Sequence, residues 1–236
     1  MKINNAKTFL RATVLLAVAV TWASLAQAQT CSVTWTDKTG DGMWSTADNW
    51  NPHEVPGPTS DVCIPSDSAD ARSIPSISIN SIQVSQGAGV VFGSGTVSIA
   101  TPVTMQGGLS LLGTTLSATS VDVPSGGSLN GNGTIEGSLT MGGVILPQAA
   151  PITVMGDYTQ ASTGEVIEYW GSGGILNVNA NATLSGYLFV RYSTKVPPKS
   201  GSTYTAMTFG SLSGEFTNVS PGTAKYTNNS VVVKFP

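Results

Sequence analysis

From Pro65 onward, apolar and polar residues alternate in short runs broken by glycine-rich turns. Four of these runs align: Val84-Ser85-Gln86-Gly87-Ala88-Gly89-Val90, Val103-Thr104-Met105-Gln106-Gly107-Gly108-Leu109, Val121-Asp122-Val123-Pro124-Ser125-Gly126-Gly127-Ser128-Leu129 and Leu139-Thr140-Met141-Gly142-Gly143-Val144-Ile145. Their first residues, at 84, 103, 121 and 139, recur every 18 to 19 positions. Alternation with period two sends successive side chains to opposite faces of a strand, so each run predicts short strands with Val, Ile and Leu inward and Ser, Thr and Asn outward. A coil this short cannot bury its own apolar side; the next coil covers it, pairing in parallel at about 4.8 Å. The period therefore predicts an all-β protein built as a parallel β-helix (solenoid) of roughly eight coils spanning about 35 to 40 Å. Alternation with frequent turns also suits a β-sandwich, which stands as the alternative fold.

The N-terminus follows another pattern. Lys2, Lys7 and Arg11 precede an apolar run from Ala12 to Leu25, and Ala26-Gln27-Ala28 is a small-x-small cleavage site. Residues 1–28 read as a signal peptide, with the exported chain beginning at Gln29. The apolar run is shorter than the ~20 residues of a membrane span, and no membrane span is expected after cleavage. Gln27-Ala28-Gln29-Thr30 lacks the small-residue run that precedes a lipoprotein cysteine. The expected location is therefore secreted: extracellular, cell surface or periplasm.

Composition narrows the chemistry mainly by exclusion. Hydrophobic residues make up 40% and charged residues 10% of 236, which excludes a low-hydrophobicity disordered chain. The net charge of −3 becomes about −6 once the three basic residues of the signal are removed. Nucleic acid is therefore not a partner, while basic partners or divalent cations are mildly favoured. Two cysteines in an exported chain read most simply as one disulfide, Cys31 to Cys63. Two thiols with His53 alone would fall short of a zinc ligand set.

The segment enclosed by these cysteines differs from the rest. It holds Trp35, Trp44 and Trp50, the single His, and Asp37, Asp41, Asp48, Glu54 and Asp61, and it reads as a compact cap over residues 29–65 preceding a β-helix domain over 66–236. Asp37 and Asp41 invite a calcium reading, but Asp37-Lys38-Thr39-Gly40-Asp41-Gly42 supplies two ligands where a calcium loop needs six to eight oxygens. They are weak metal candidates beside the alternative that they accept N–H bonds in turns. No cofactor is expected.

The order Trp35, Gly40-Asp41-Gly42, Trp44-Ser45, Asn49-Trp50, Val55-Pro56-Gly57, Asp61-Val62-Cys63-Ile64 resembles the W…GDG.WS…NW…VPG..D.V.I module that opens many bacterial autotransporter-type and other large extracellular β-helix proteins. The cysteine pair departs from that module, which commonly lacks it. Gly131-Asn132-Gly133-Thr134-Ile135-Glu136-Gly137-Ser138-Leu139 is similar to a coil of autotransporter passenger domains, Gly156-Asp157-Tyr158-Thr159-Gln160 to their G-[ND]-Y-x-Q signature, and Ser213-Gly214-Glu215-Phe216 to their closing coils. The resemblance implies a right-handed parallel β-helix of pectin-lyase-like type, closed by a short antiparallel ending near Val231 to Phe235. A translocator barrel needs at least eight strands of about ten residues, and nothing after Phe216 has that length. Release, or transfer to another export system, is the expectation.

Catalysis has little material. Asp122, Glu136 and Asp157 are separated by 14 and 21 residues, so only the second interval approaches one coil. Glu165 and Glu168 are closer, but an odd spacing on a strand sends them to opposite faces. No nucleophile elbow, phosphate loop or zinc helix occurs, and no second His could activate a serine. No catalytic residue is assigned, and the expected function is a non-catalytic surface or matrix module, structural or adhesive, that binds a glycan or matrix partner or self-associates. Tyr158, Tyr169 and Trp170 are the candidate ligand patch, with packing of the aromatic side chains over the coil end as the competing reading. The alternative function is a polysaccharide lyase or hydrolase. A third class, an ice-binding solenoid, needs regular threonine ranks, and Thr104, Thr140, Thr153 and Thr159 are too unevenly spaced in the chain to suggest one. Four Asn-x-Ser/Thr sequons, at Asn132, Asn181, Asn218 and Asn228, matter only in a eukaryotic secretory route.

Overall fold

The computed structural model describes residues 30–74 and 76–236, and the signal peptide expected over 1–28 lies outside them. The described residues are nearly all β, and they wind into a parallel solenoid of about six turns. The single helical piece among them is a 3-10 turn, Ala47–Asn49.

Each turn contributes three short β segments, and each segment stacks on its equivalent one turn away, giving three long faces. The first face runs through Val33–Trp35, Asp61–Ile64, Ser81–Val84, Val103–Met105, Ser120–Val123, Ser138–Met141 and Tyr158–Gln160. The second includes Ala71–Ile74, Gly89–Phe92, Glu165–Tyr169, Tyr187–Arg191 and Asn218–Ser220. The third includes Ile77–Ile79 and Gly95–Ile99. Longer strands such as Gly108–Ser117, Ser128–Ile135 and Val144–Val154 bend at their middle and serve the second face and then the third. The bends coincide with register shifts, at Leu112/Thr114 and at Gly131/Gly133. Glycine is required there: Gly131 has φ +98° and a Cβ would strike the Leu111 carbonyl oxygen of the preceding coil.

The core is a set of inward ranks, one residue per turn. Ala71, Val90, Leu109, Leu129, Ile145, Val166 and Leu188 form one of them, and all are at most 1% exposed. Each rank leaves its apolar surface covered on both sides by the neighbouring coils, which is the burial a single coil lacks.

Two expectations change in detail. The register places Val84 on Met105 rather than on Val103, so the aligned runs are out of phase by one inward position at the first step. Along the first face, Val103, Val121 and Leu139 are 18 residues apart, but Tyr158 to Ala182 takes 24 and Ala182 to Leu212 takes 30. Longer coils consume the chain faster, which is why about six turns form rather than eight.

The ends are built differently. At the N-terminal end, Val33–Trp35 extends the first face and pairs with Trp50–Asn51, while Gly42 and Trp44 bond across to Arg72 over the second. The Cys31–Cys63 disulfide joins this cap to the first coil. At the C-terminal end, Ser230–Lys234 runs antiparallel to Thr203–Gly214 and closes the third face, as the resemblance to closing coils implied.

Candidate functional site

The cap is organised by three fully buried indoles. Trp50 meets Trp35 and Trp44 edge-on, with ring centroids 4.8 and 4.6 Å apart, the geometry that aligns ring edges with ring faces. Trp35 Nε1 donates to Ala69 O at 2.8 Å and Trp50 Nε1 to Trp44 O at 2.8 Å. Around them the Asp and Asn side chains tie turns. Asp37 Oδ1 accepts from Gly42 N at 2.9 Å. Asp41 accepts from Met43 N, Thr46 Oγ1 and Asn49 Nδ2. The Met43 N–H leads in holding the Asp41 carboxyl down at about 2, helped by the Asn49, Thr46 and Thr39 side chains against a smaller desolvation effect. Both Asp41 oxygens are thus engaged in the turn. Among the described residues, no three His, Cys, Asp or Glu side chains gather where they could hold a metal.

The candidate aromatic patch separates into three different environments. Tyr158 is fully buried. It stacks in register between Leu139 and Ala182 as an inward residue of the first face, so it is removed from any surface patch. Its hydroxyl donates to Gln160 Oε1 at 2.6 Å, and Gln160 Nε2 donates to Gly164 O at 2.9 Å and Tyr187 O at 3.1 Å. The Tyr and Gln of the G-[ND]-Y-x-Q run are therefore a hydrogen-bonded pair inside the lumen. Trp170 is partly buried against the core; its ring lies 4.9 Å from Phe235 and 5.8 Å from Tyr204. It packs over the closing strand rather than facing a ligand. Tyr169 remains outward and 41% exposed.

Two outward aromatics escaped the sequence reading. Tyr187 is 37% exposed, and its ring is parallel to that of Phe189 with centroids 6.0 Å apart. In Tyr187-Leu188-Phe189-Val190 every residue is apolar or aromatic, so alternation carries no signal of which side faces out. The register does: Leu188 and Val190 are buried, and Phe189 pairs with Ile167.

The carboxylates weighed for catalysis are dispersed. Asp122 lies outward on the first face between Thr104 and Thr140. Glu136 follows the third-face strand ending at Ile135, and Asp157 sits at the same corner one turn later, its Oδ1 accepting from Asn181 N and Nδ2 at 3.1 and 2.9 Å. Glu165 and Glu168 do point to opposite sides. Glu168 is fully buried, neither oxygen has a hydrogen-bond partner, and burial pushes its carboxyl well above the ordinary range. The Tyr204 hydroxyl and the Leu176 N–H oppose that effect without reaching hydrogen-bond geometry.

The threonines that look irregular in the chain are regular in space. Thr96, Thr115, Thr134, Thr153, Asn177 and Thr208 occupy successive positions of one outward rank on the third face. Thr104, Thr140, Thr159 and Thr183 share a rank on the first face, interrupted by Asp122. This corrects the expectation of uneven spacing: unequal coil lengths disguise an even ladder, and Thr153 belongs to a different face from the other three. No known family model, curated protein or solved structure matches this chain.

Proposed function

We propose that the protein is a secreted, non-catalytic module of the autotransporter passenger type that works at the bacterial surface or in its matrix and adheres to a polysaccharide along its long sides. The observation that carries this reading is the third-face rank from Thr96 to Thr208, one hydroxyl or amide per turn in unbroken register. Repeated donors and acceptors at about 4.8 Å suit a partner that is itself a repeat. Weak contacts made many times to one chain add through effective concentration.

The test is binding of the exported chain, from Gln29 onward, to a panel of polysaccharides and matrix proteins, with product analysis on the same samples. Binding without new reducing ends or unsaturated sugars, lost in a Thr115→Asp, Thr134→Asp, Thr153→Asp variant of native fold, is the expected result. Turnover would replace adhesion with catalysis and direct attention to Glu136 and Asp157. The same ranks favour a second reading, ordering of water at an ice surface; thermal hysteresis in the absence of polysaccharide binding would select it.

A further inference from the structure

The second face changes character along its length. Its central outward rank starts polar, Ser110 then Asn130, turns apolar at Leu146, and returns to polar at Ser220 after Ile167 and Phe189. Beside the apolar stretch stand Tyr187 and Tyr169, 37% and 41% exposed. A contiguous apolar and aromatic patch bounded by polar residues is the usual mark of an interface, and tyrosine and arginine are its enriched residues.

Charge identifies the occupant. Glu165 pairs in register with Tyr187, and Tyr169 with Arg191, so the carboxylate and the guanidinium stand at opposite corners of a rectangle whose centre is Ile167 and Phe189. Neither forms an ion pair within the chain among the described residues. A two-fold axis in the plane of the sheet, perpendicular to the line from Glu165 to Arg191, would set each Glu165 on the other copy's Arg191 and close the apolar centres on each other. A patch that complements itself in this way meets the requirement of an isologous dimer.

The ends of the solenoid argue for sideways rather than end-to-end association. Among the described residues, the strand left unpaired at the N-terminal end is Ile77–Ile79, on the third face. At the C-terminal end the third face is closed by Ser230–Lys234, and the unpaired edges belong to the first and second faces. Stacking two copies end to end with their faces aligned would join closed edges to open ones.

We propose that the second face docks a second copy of this chain through Ile167, Phe189, Tyr169 and Tyr187, with reciprocal Glu165 and Arg191 pairs fixing the orientation. This goes beyond adhesion and stands whichever polymer the third face holds.

The experiment is sedimentation velocity of the exported chain over a concentration series, with Glu165→Arg, Arg191→Glu and the double reversal, each checked for native circular dichroism. A dimer is expected, weakened at least about tenfold by either single reversal, because like charges then face each other, and recovered in the double. A monomer at every concentration overturns the proposal. So does a dimer that ignores both single reversals and Phe189→Lys. Loss of polysaccharide binding by a monomeric protein on Tyr187→Ala and Phe189→Ala would make the patch a glycan platform and also sink it.

Discussion

At the residue scale, the polar side chains that sequence inspection marks for chemistry are spent on structure. Asp41 holds the cap turn through Met43, Thr46 and Asn49. Its folded value of about 2 lies below its ordinary 3.8, so the unfolded chain takes up the proton first. The stability it lends is present above about pH 4 and is lost as pH falls toward 2. Indole fluorescence of the cap, followed from pH 5 to pH 2, should therefore shift in the wild type, and Asp41→Asn should start from a destabilised cap and show a smaller acid response. Gln160 is a second case. It occupies an inward position equivalent to Met141, so Leu would fit the rank by shape. Gln160→Leu strands the Tyr158 hydroxyl and the Gly164 and Tyr187 carbonyls, a loss expected at about 1 to 3 kcal/mol. Adding Tyr158→Phe should restore part of it, which a double-mutant cycle by urea denaturation would measure.

At the scale of the element, the strand Glu165–Tyr169 joins the two most distinctive features of the second face. Its outward side carries Ile167 and Tyr169, and its inward side carries Glu168, level with Val190 of the next coil. Tyr158 from the first face and Tyr204 from the closing strand lie within electrostatic reach of that carboxyl. Because the folded carboxyl is raised above its ordinary 4.5, the native state keeps a proton that the unfolded chain has released. Stability should then be greatest below about pH 4.5 and decline as pH rises toward the folded value. Urea midpoints measured from pH 4 to 9 should fall for the wild type and flatten for Glu168→Gln. The opposite slope would show that other groups dominate. Much of this was legible beforehand: the odd spacing of Glu165 and Glu168 sends them to opposite sides. Which of the two went inside was not, since that depends on the register of the strand against its neighbours.

At the scale of the whole molecule, the solenoid is a stack whose coils are held mainly by the coil above and the coil below. The cap and the closing strand are where such a stack frays. The Cys31–Cys63 disulfide spans a separation of 32 residues, and by the chain-entropy estimate a loop of this size is worth roughly 3 to 4 kcal/mol. Cys31→Ser with Cys63→Ser should lower the thermal midpoint and speed proteolysis within the cap before the central coils are cut. Simultaneous loss of cap and coils would show instead that the solenoid unfolds as one unit.

The sequence by itself determined the strands, the inward and outward sets within most of them, the repeat, the cap and the disulfide. Each of these follows from short-range rules: period-two alternation, glycine at turns, and the pairing of two cysteines in an exported chain. Tertiary structure alone decided what sits beside what between coils. Tyr158 went inside because it stacks on Leu139, Trp170 was covered because the closing strand brings Phe235 to it, and Tyr187 and Phe189 emerged as the exposed aromatics. The threonine ranks were hidden for the same reason. Coils of 18 to 30 residues place equivalent side chains at unequal intervals in the chain, and only the hydrogen-bonded register between strands, which pairs Thr134 with Thr153 and Thr153 with Asn177, makes the intervals equal in space.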